Sequence, residues 1–128
     1  MSDLSTKFNP VGWFEIPALD LERASTFYSK LLDIEMKRAD FMDFEMVWFP
    51  GDAEAKGISG ALMKGVPYQP TLAGPIVYFT CSEIDEVLAQ VKDLGGKIFI
   101  PKKSIGPFGY IAIIGDTEGN RVGLHSRA

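Results

Sequence analysis

The sequence has little of what several kinds of protein site require. Among its 128 residues it contains one cysteine, Cys81, and one histidine, His125. A single cysteine excludes a disulfide within the chain and any metal site built from several thiolates. Cys81 ends the apolar run "PIVYFTC", where nothing nearby in the sequence lowers a thiol pKa, so we interpret it as an unreactive core residue.

Long apolar runs and clusters of positive charge are also missing. Apolar runs such as 110–114 are far shorter than the roughly 20 residues that cross a bilayer. The 13 lysines and arginines are scattered and outnumbered by 17 carboxylates, giving a net charge of -4. Nucleic acid and anionic membranes are therefore not expected partners. The N-terminal stretch "MSDLSTKFNP" lacks the apolar centre of a signal peptide, which predicts a cytoplasmic protein.

Two segments have the apolar spacing of amphipathic helices. In "DLERASTFYSKLL" the apolar residues recur three to four residues apart, and Asp20 is the expected N-cap. The segment "SEIDEVLAQVKDLGG" repeats this pattern. We predict that the second helix opens with a capping pair, Ser82 and Asp85, and stops at Gly95 and Gly96.

Short runs rich in β-branched and aromatic residues surround both helices in the same order. Each helix follows one such run and precedes three more, so the order β-α-β-β-β occurs twice, joined by the linker "GVPYQPTLAGP". We therefore predict a single α+β domain over 1–128, made of two modules at about 10–64 and 75–126. Between its last two strands, "GDTEGN" is typical of a hairpin turn with Gly119 at positive φ.

Strand alternation assigns the faces of the predicted sheets, because successive side chains point to opposite sides. Phe14 and Ile16 share one face of the first strand, and Val122 and Leu124 share one face of the last. These uniformly apolar faces are expected to pack under the helices. The opposite faces mix polar, aromatic and small residues and are expected to line a cleft: Trp13, Glu15, Pro17, Ile76, Tyr78, Thr80, Arg121, Gly123 and His125.

The stretch "WFEIPALDLERASTFYSKLLDIEM", the tail "GGKIFIPKKSIGPFGYIAIIGDTEGNRVGL" and the duplicated order resemble the vicinal oxygen chelate superfamily. This superfamily groups glyoxalase I, bleomycin-resistance proteins and extradiol dioxygenases. The resemblance covers essentially the whole chain. It implies two β-α-β-β-β modules that form a curved mixed sheet around a ligand cleft, usually in a homodimer.

The resemblance also implies where a metal would bind. Catalytic members hold one divalent metal with His, Glu or Gln side chains at four cleft-facing positions. Those positions correspond here to Trp13, a residue near Ala61, Ile76 and Gly123. None of these side chains can ligate a metal, so we expect no metal cofactor, with a divalent metal at a shifted site as the alternative.

A shifted site is suggested two residues further along the same four strands, at Glu15, Met63, Tyr78 and His125. Side chains two residues apart on a strand point the same way. Glu15 and His125 are the candidate catalytic residues of this shifted ring, because a carboxylate and an imidazole can act together as a general base. The same two residues are the candidate ligands of a shifted metal site, which would require at least one further donor.

Aromatic and apolar residues supply the candidate pocket for a planar or amphipathic small molecule. Core packing or a dimer contact is the competing interpretation. The candidate pocket residues are Trp13, Trp48, Met63, Tyr78, Phe108 and Tyr110. Three functions stay open: a metal-independent binder or modest enzyme of the lyase or isomerase type; a metal-dependent lyase, isomerase or dioxygenase; and a non-catalytic dimeric binding module.

Overall fold

The structure, a computed structural model, describes residues 9–127 of the chain. Within these residues the order β-α-β-β-β occurs twice. The first repeat consists of β1 (Phe14–Pro17), α1 (Leu21–Leu32), β2 (Lys37–Arg38), β3 (Glu45–Trp48) and β4 (Gly60–Lys64). The second consists of β5 (Tyr78–Thr80), α2 (Ile84–Val91), β6 (Lys97–Ser104), β7 (Tyr110–Gly115) and β8 (Arg121–Ser126), with a 3-10 turn at Gly106–Phe108. In this part of the chain no helix is long and apolar enough to cross a lipid bilayer.

Each repeat forms its own four-stranded mixed sheet, with strand orders β1-β4-β3-β2 and β5-β8-β7-β6. The pairs β1–β4 and β5–β8 are parallel, and the other neighbours are antiparallel. The predicted α+β class and its two modules are confirmed. Within one chain, however, the described strands make two sheets instead of one continuous curved sheet, and β1 and β5 each lie at an edge.

Helix α1 begins and ends where local sequence signals predict. The Asp20 side chain accepts a hydrogen bond from the Arg23 amide at 3.0 Å, which is the expected N-cap contact. The helix ends at Asp33, which adopts a left-handed conformation with φ 53° and donates its amide to the Ser29 carbonyl. Aspartate tolerates this conformation better than most residues because its short polar side chain bonds locally.

Helix α2 is shorter than predicted, and its predicted capping pair is wrong. It runs from Ile84 to Val91, and its N-cap residue Glu83 makes no side-chain capping bond. The Asp85 carboxylate instead accepts a hydrogen bond from Lys102 Nζ at 2.9 Å. Because the N-cap is Glu83, Ser82 lies one residue before the capping position, and sequence spacing alone does not fix a helix start to one residue.

Strand β6 is longer than the predicted run "GKIFIP". It continues through Ser104, because Lys103 and Ser104 pair with Ile111 and Tyr110 of β7. Irregularities between Ile98 and Lys103 shift the register along the way, and such bulges twist and bend a strand.

The apolar faces of both helices pack into one hydrophobic core that belongs to both modules. Each sheet contributes its helix-covered face, as alternation predicts. Core members include Ile16, Phe27, Tyr28, Val47 and Leu62 from the first module and Ile84, Val91, Ile114, Val122 and Leu124 from the second. Because both covered faces turn toward this shared core, the opposite faces of the two sheets turn away from it.

The turn between β7 and β8 fastens the second module to the start of α1. Gly119 has φ 100°, as predicted for this hairpin. The Glu118 side chain, 0% exposed, accepts hydrogen bonds from the amides of Leu19 and Asp20, both at 2.8 Å, and from Arg23 Nε at 2.7 Å. Burial by itself would raise the pKa of Glu118, but the bonds from Arg23 and the Asp20 amide lower it overall.

A second buried contact supports the same junction. The Tyr28 hydroxyl donates to Asp116 Oδ2 at 2.6 Å, and burial together with this carboxylate raises the pKa of Tyr28 well above its usual value. Asn120 Nδ2 donates to Asp116 at 2.9 Å and to the Pro17 carbonyl at 2.7 Å. Sequence analysis identified this segment as a turn and missed its role in joining the modules.

Candidate functional site

The uncovered face of the first sheet is aromatic and carries one carboxylate. Trp13 precedes β1, Glu15 lies within it, and Trp48 ends β3. In the ladder, Ala61 of β4 pairs with both Glu15 and Trp48 and separates them. The rings of Trp13 and Trp48 meet edge to face at 6.0 Å, and the two residues are 45% and 43% exposed. The structure therefore brings these three predicted site residues together.

Glu15 is held by two aromatic donors. Trp13 Nε1 donates to Oε2 of Glu15 at 3.4 Å, and the Tyr68 hydroxyl donates to Oε1 at 3.2 Å. Tyr68 lies in the linker between the modules and was not predicted as a site residue. Desolvation, followed by the nearby Glu15 charge and its hydrogen bond, raises the pKa of Tyr68.

Met63 lies on this face but not at its surface. It is 1% exposed and packs with Met46, Ala61 and Tyr68 in a small cluster separate from the main core. The structure thus places Met63 under the aromatic side chains, as a support, and corrects its prediction as a residue lining an accessible pocket.

On the uncovered face of the second sheet, an aromatic ring lies over Gly123. The resemblance assigns this position to the last metal ligand of the superfamily. Tyr78 of β5 pairs with Gly123 of β8, and the tyrosine ring lies directly over the glycine. A Cβ atom at position 123 would stand 2.5 Å from Cε1 and 2.9 Å from Cγ of Tyr78. Gly123 therefore lacks a ligand side chain and also leaves the space that the Tyr78 ring occupies.

A second ring covers a second glycine on the same face. Gly115 of β7 pairs with Arg121 of β8, and a Cβ atom at Gly115 would lie 2.9 Å from Cε2 of Phe99. Tyr78 and Phe99 are 45% and 44% exposed. Phe99 was not predicted, although its place in the strand-like run "GKIFIP" next to a glycine-containing partner strand was a possible signal.

The candidate base His125 has a defined orientation on this second face. Its Nε2 lies 2.6 Å from the Phe108 carbonyl oxygen. Since a carbonyl oxygen can only accept, Nε2 carries a proton, and Nδ1 is the nitrogen that can have a free lone pair. Phe108 thus contributes its backbone to the site, while its side chain is 67% exposed.

Tyr110 does not belong to the candidate site. It pairs with Ser126 and alternates with Ala112 and Ile114 of the core, so it points to the helix-covered side. There it packs against the core and receives Lys102 Nζ over its ring at 4.4 Å. The prediction that Tyr110 lines the pocket is wrong because the apolar run of β7 shows no alternation from which its face can be read.

The two candidate catalytic residues stand on different modules and do not meet within the chain. Glu15 bonds to Trp13 and Tyr68 on the first sheet side, whereas His125 bonds to Phe108 on the second. The two uncovered faces turn away from the shared core. A general-base pair of Glu15 and His125 is therefore not assembled by one chain.

The positions that the resemblance assigns to metal ligands carry no side chain suited to a divalent metal. They are Trp13, a residue near Ala61, Ile76 and Gly123. In the part of the chain that is described, no three His, Cys, Asp or Glu side chains come together closely enough to hold a metal ion. A shifted site on Glu15 and His125 would have to recruit donors from outside these groups.

Comparison with known proteins agrees with the architecture. The sequence model of the glyoxalase/bleomycin resistance protein/dioxygenase superfamily matches residues 11–124. No curated protein sequence matches the chain significantly.

Solved structures share the fold at low sequence identity. Glyoxalase I of Leishmania major is 17% identical, with a TM-score of 0.69 over 93% of this chain and 87% of its own. The fosfomycin resistance protein FosX of Listeria monocytogenes is 17% identical, with a TM-score of 0.68 over 92% and 90%. TnmS3, an antibiotic-binding protein of Streptomyces sp. CB03234, is 20% identical, with a TM-score of 0.65 over 94% and 98%. With its matched length and its two β-α-β-β-β modules, this chain belongs to the glyoxalase/bleomycin resistance protein/dioxygenase superfamily.

Proposed function

We propose that the protein binds an aromatic or amphipathic small molecule without using a metal ion. The observation that carries this proposal is the Tyr78 ring over Gly123, at the position where catalytic members of the superfamily place a metal ligand. An aromatic surface offers a planar ligand a large contact area at little cost in side-chain entropy. The antibiotic-binding protein among the structural neighbours supports the same class of function.

We further propose that the binding cleft is completed in a homodimer. The first-sheet face with Trp13 and the second-sheet face with Tyr78 both turn away from the core of their own chain. A cavity of about 600 Å³ opens beside the edge strands β1 and β5, lined mainly by apolar residues of both modules. Unpaired edges and exposed aromatic faces favour association with a second copy. In such a dimer, the first-sheet face of one protomer opposes the second-sheet face of the other.

The binding proposal predicts ligand affinity without metal. We expect the neutral aromatic dye N-phenylnaphthylamine to bind the metal-free protein saturably, and we expect Trp13→Ala to weaken this binding about tenfold through lost contact area. Dye fluorescence measures the binding, and elemental analysis after exposure to zinc, nickel, manganese and ferrous iron measures the metal. Val66→Ala, at an exposed linker residue, is the control. About one equivalent of retained metal that is lost in Glu15→Gln or His125→Ala would contradict the proposal.

The dimer proposal predicts complementation between two defective chains. Trp13→Ala damages one face and Tyr78→Ala the other, so each homodimer has two damaged clefts. After the two variants are refolded together, random pairing gives mixed dimers in which one of the two clefts is intact, or about one quarter of all clefts. Recovery of that fraction of wild-type dye binding, at wild-type affinity, is the expected result. No recovery in a mixture that has exchanged subunits would show that the cleft does not form between chains.

A further inference from the structure

The first-sheet face holds a carboxylate between two aromatic pairs. Trp13 packs edge to face with Trp48, and Phe44 packs edge to face with Tyr68 at a centroid distance of 6.3 Å. One member of each pair, Trp13 or Tyr68, donates a hydrogen bond to Glu15. We call these five residues the acidic aromatic cluster: Trp13, Glu15, Phe44, Trp48 and Tyr68.

Among residues 9–127, the negative charge of this cluster has no cationic partner. In the described part of the chain no lysine, arginine or histidine forms an ion pair with Glu15. Its two donors are neutral, and both bonds are long at 3.4 and 3.2 Å. Glu45, on the opposite face of the same sheet, provides a contrast, because it lies 3.4 Å from Arg38. The Glu15 charge is therefore available to a ligand.

Aromatic rings around a carboxylate are suited to one kind of ligand group. The faces of indole and phenol rings attract cations, and several such rings together recognise quaternary ammonium groups. The net charge of -4 also favours the approach of a cation. An anionic ligand would face Glu15 without compensation, and a neutral ring would use the aromatic surface but not the carboxylate.

We propose that the acidic aromatic cluster binds an organic cation, either a protonated amine or a quaternary ammonium group of the ligand. This inference rests on the proposed small-molecule function and names the ligand class of the same cleft. Trp13 and Trp48 offer exposed aromatic surface, and Glu15 supplies the opposite charge. Tyr68 and Trp13 orient the carboxylate through their hydrogen bonds.

The chain provides its own probe for this site. Its only two tryptophans, Trp13 and Trp48, both belong to the cluster, so intrinsic tryptophan fluorescence reports binding there directly. The test is a titration with choline and with its neutral carbon isostere, dimethylbutanol, at matched ionic strength. We expect saturable quenching by choline with an affinity about tenfold higher than that of the isostere.

Two matched carboxylate variants separate the cluster from general electrostatics. Glu15→Gln should remove most of the preference for choline while leaving dimethylbutanol binding unchanged. Glu45→Gln removes the same charge from the other face of the same sheet and should leave choline binding as it is. Circular dichroism checks that both variants are folded. If Glu15→Gln is not folded, the preference of the unmodified protein for choline over dimethylbutanol decides whether the proposal stands.

The possible failures are distinguishable. Equal binding of choline and dimethylbutanol, or an unchanged preference in folded Glu15→Gln, would overturn the cation site. If the neutral dye still binds in that case, the proposed function stands with a neutral ligand. Absence of saturable binding by choline, by the isostere and by the dye would overturn both proposals.

Discussion

Glu118→Ala is expected to lower the free energy of unfolding by about 3 kcal/mol. The side chain is fully buried and joins the second module to the start of α1 through the Leu19 and Asp20 amides and Arg23. Its removal takes away the charged acceptor of these part-buried hydrogen bonds, and a hydrogen bond to a charged group contributes about 1.5–3 kcal/mol. Because Arg23 is half exposed and can regain hydrogen bonds to water, the loss of its bond to Glu118 costs an amount near the low end of this range. Urea unfolding followed by circular dichroism measures the change.

A control variant and an isosteric variant sharpen this measurement. Glu22→Ala removes an exposed carboxylate from the same first turn of α1 and should cost less than about 0.5 kcal/mol. Glu118→Gln keeps one acceptor oxygen but faces Arg23 with an amide, so its cost should fall between those of the two alanine variants. A cost for Glu118→Ala as small as that for Glu22→Ala would show that the network does not hold the modules together.

The same carboxylate makes stability depend on pH in the acid range. The folded-state pKa of Glu118 lies below its ordinary value of 4.5, so the unfolded chain binds the proton more readily. Its stabilising contribution is complete above about pH 4.5 and is lost as the pH falls through the lowered folded-state pKa. Glu118→Gln should remove this part of the acid dependence, so its stability curve should be flatter below pH 4.5 than that of the unmodified protein.

The parts of the fold that local sequence determines were predictable. Asp20 and the apolar spacing of α1 define that helix within a few residues, and Gly119 marks the hairpin turn. The Ser82–Asp85 capping pair fails because the N-cap is Glu83, one residue later than predicted. Spacing within a helix does not fix its first residue to within one position.

The candidate site was predictable where strands alternate clearly and not elsewhere. Trp13 and Glu15 lie on the expected face because β1 alternates with core residues. Tyr110 was misplaced because "YIAII" is apolar on both faces, and Tyr68 was missed because a linker has no period that assigns its side chains. That the two faces turn away from one shared core depends on how the modules pack, which the strand pattern of either module does not specify.

Gly123→Ala is expected to destabilise the protein by about 2 kcal/mol, since adding a methyl group where no space exists typically costs about 1–3 kcal/mol. The new Cβ would collide with the Tyr78 ring, including Cγ at 2.9 Å, next to the tyrosine backbone. The ring therefore has to rotate off the sheet, which should also weaken dye binding. Gly12→Ala is the matched control, because nothing lies within 4 Å of a Cβ at that position, and it should change stability little.

A double mutant identifies the cause of this effect. If the collision with Tyr78 is responsible, Gly123→Ala should cost about 1–2 kcal/mol less in a Tyr78→Ala background than in the unmodified protein, since contacting residues couple by amounts of this order. If Gly123→Ala costs the same in both backgrounds, the ring-over-glycine arrangement is contradicted.

A metal-binding test uses a second double variant, Gly123→Glu with Tyr78→Ala. It restores a carboxylate at position 123 and frees the space for it, yet Trp13, Ala61 and Ile76 still occupy the other three positions that the resemblance assigns to metal ligands. We therefore expect this double variant to retain far less than one equivalent of zinc or nickel, because one restored donor does not make a metal site.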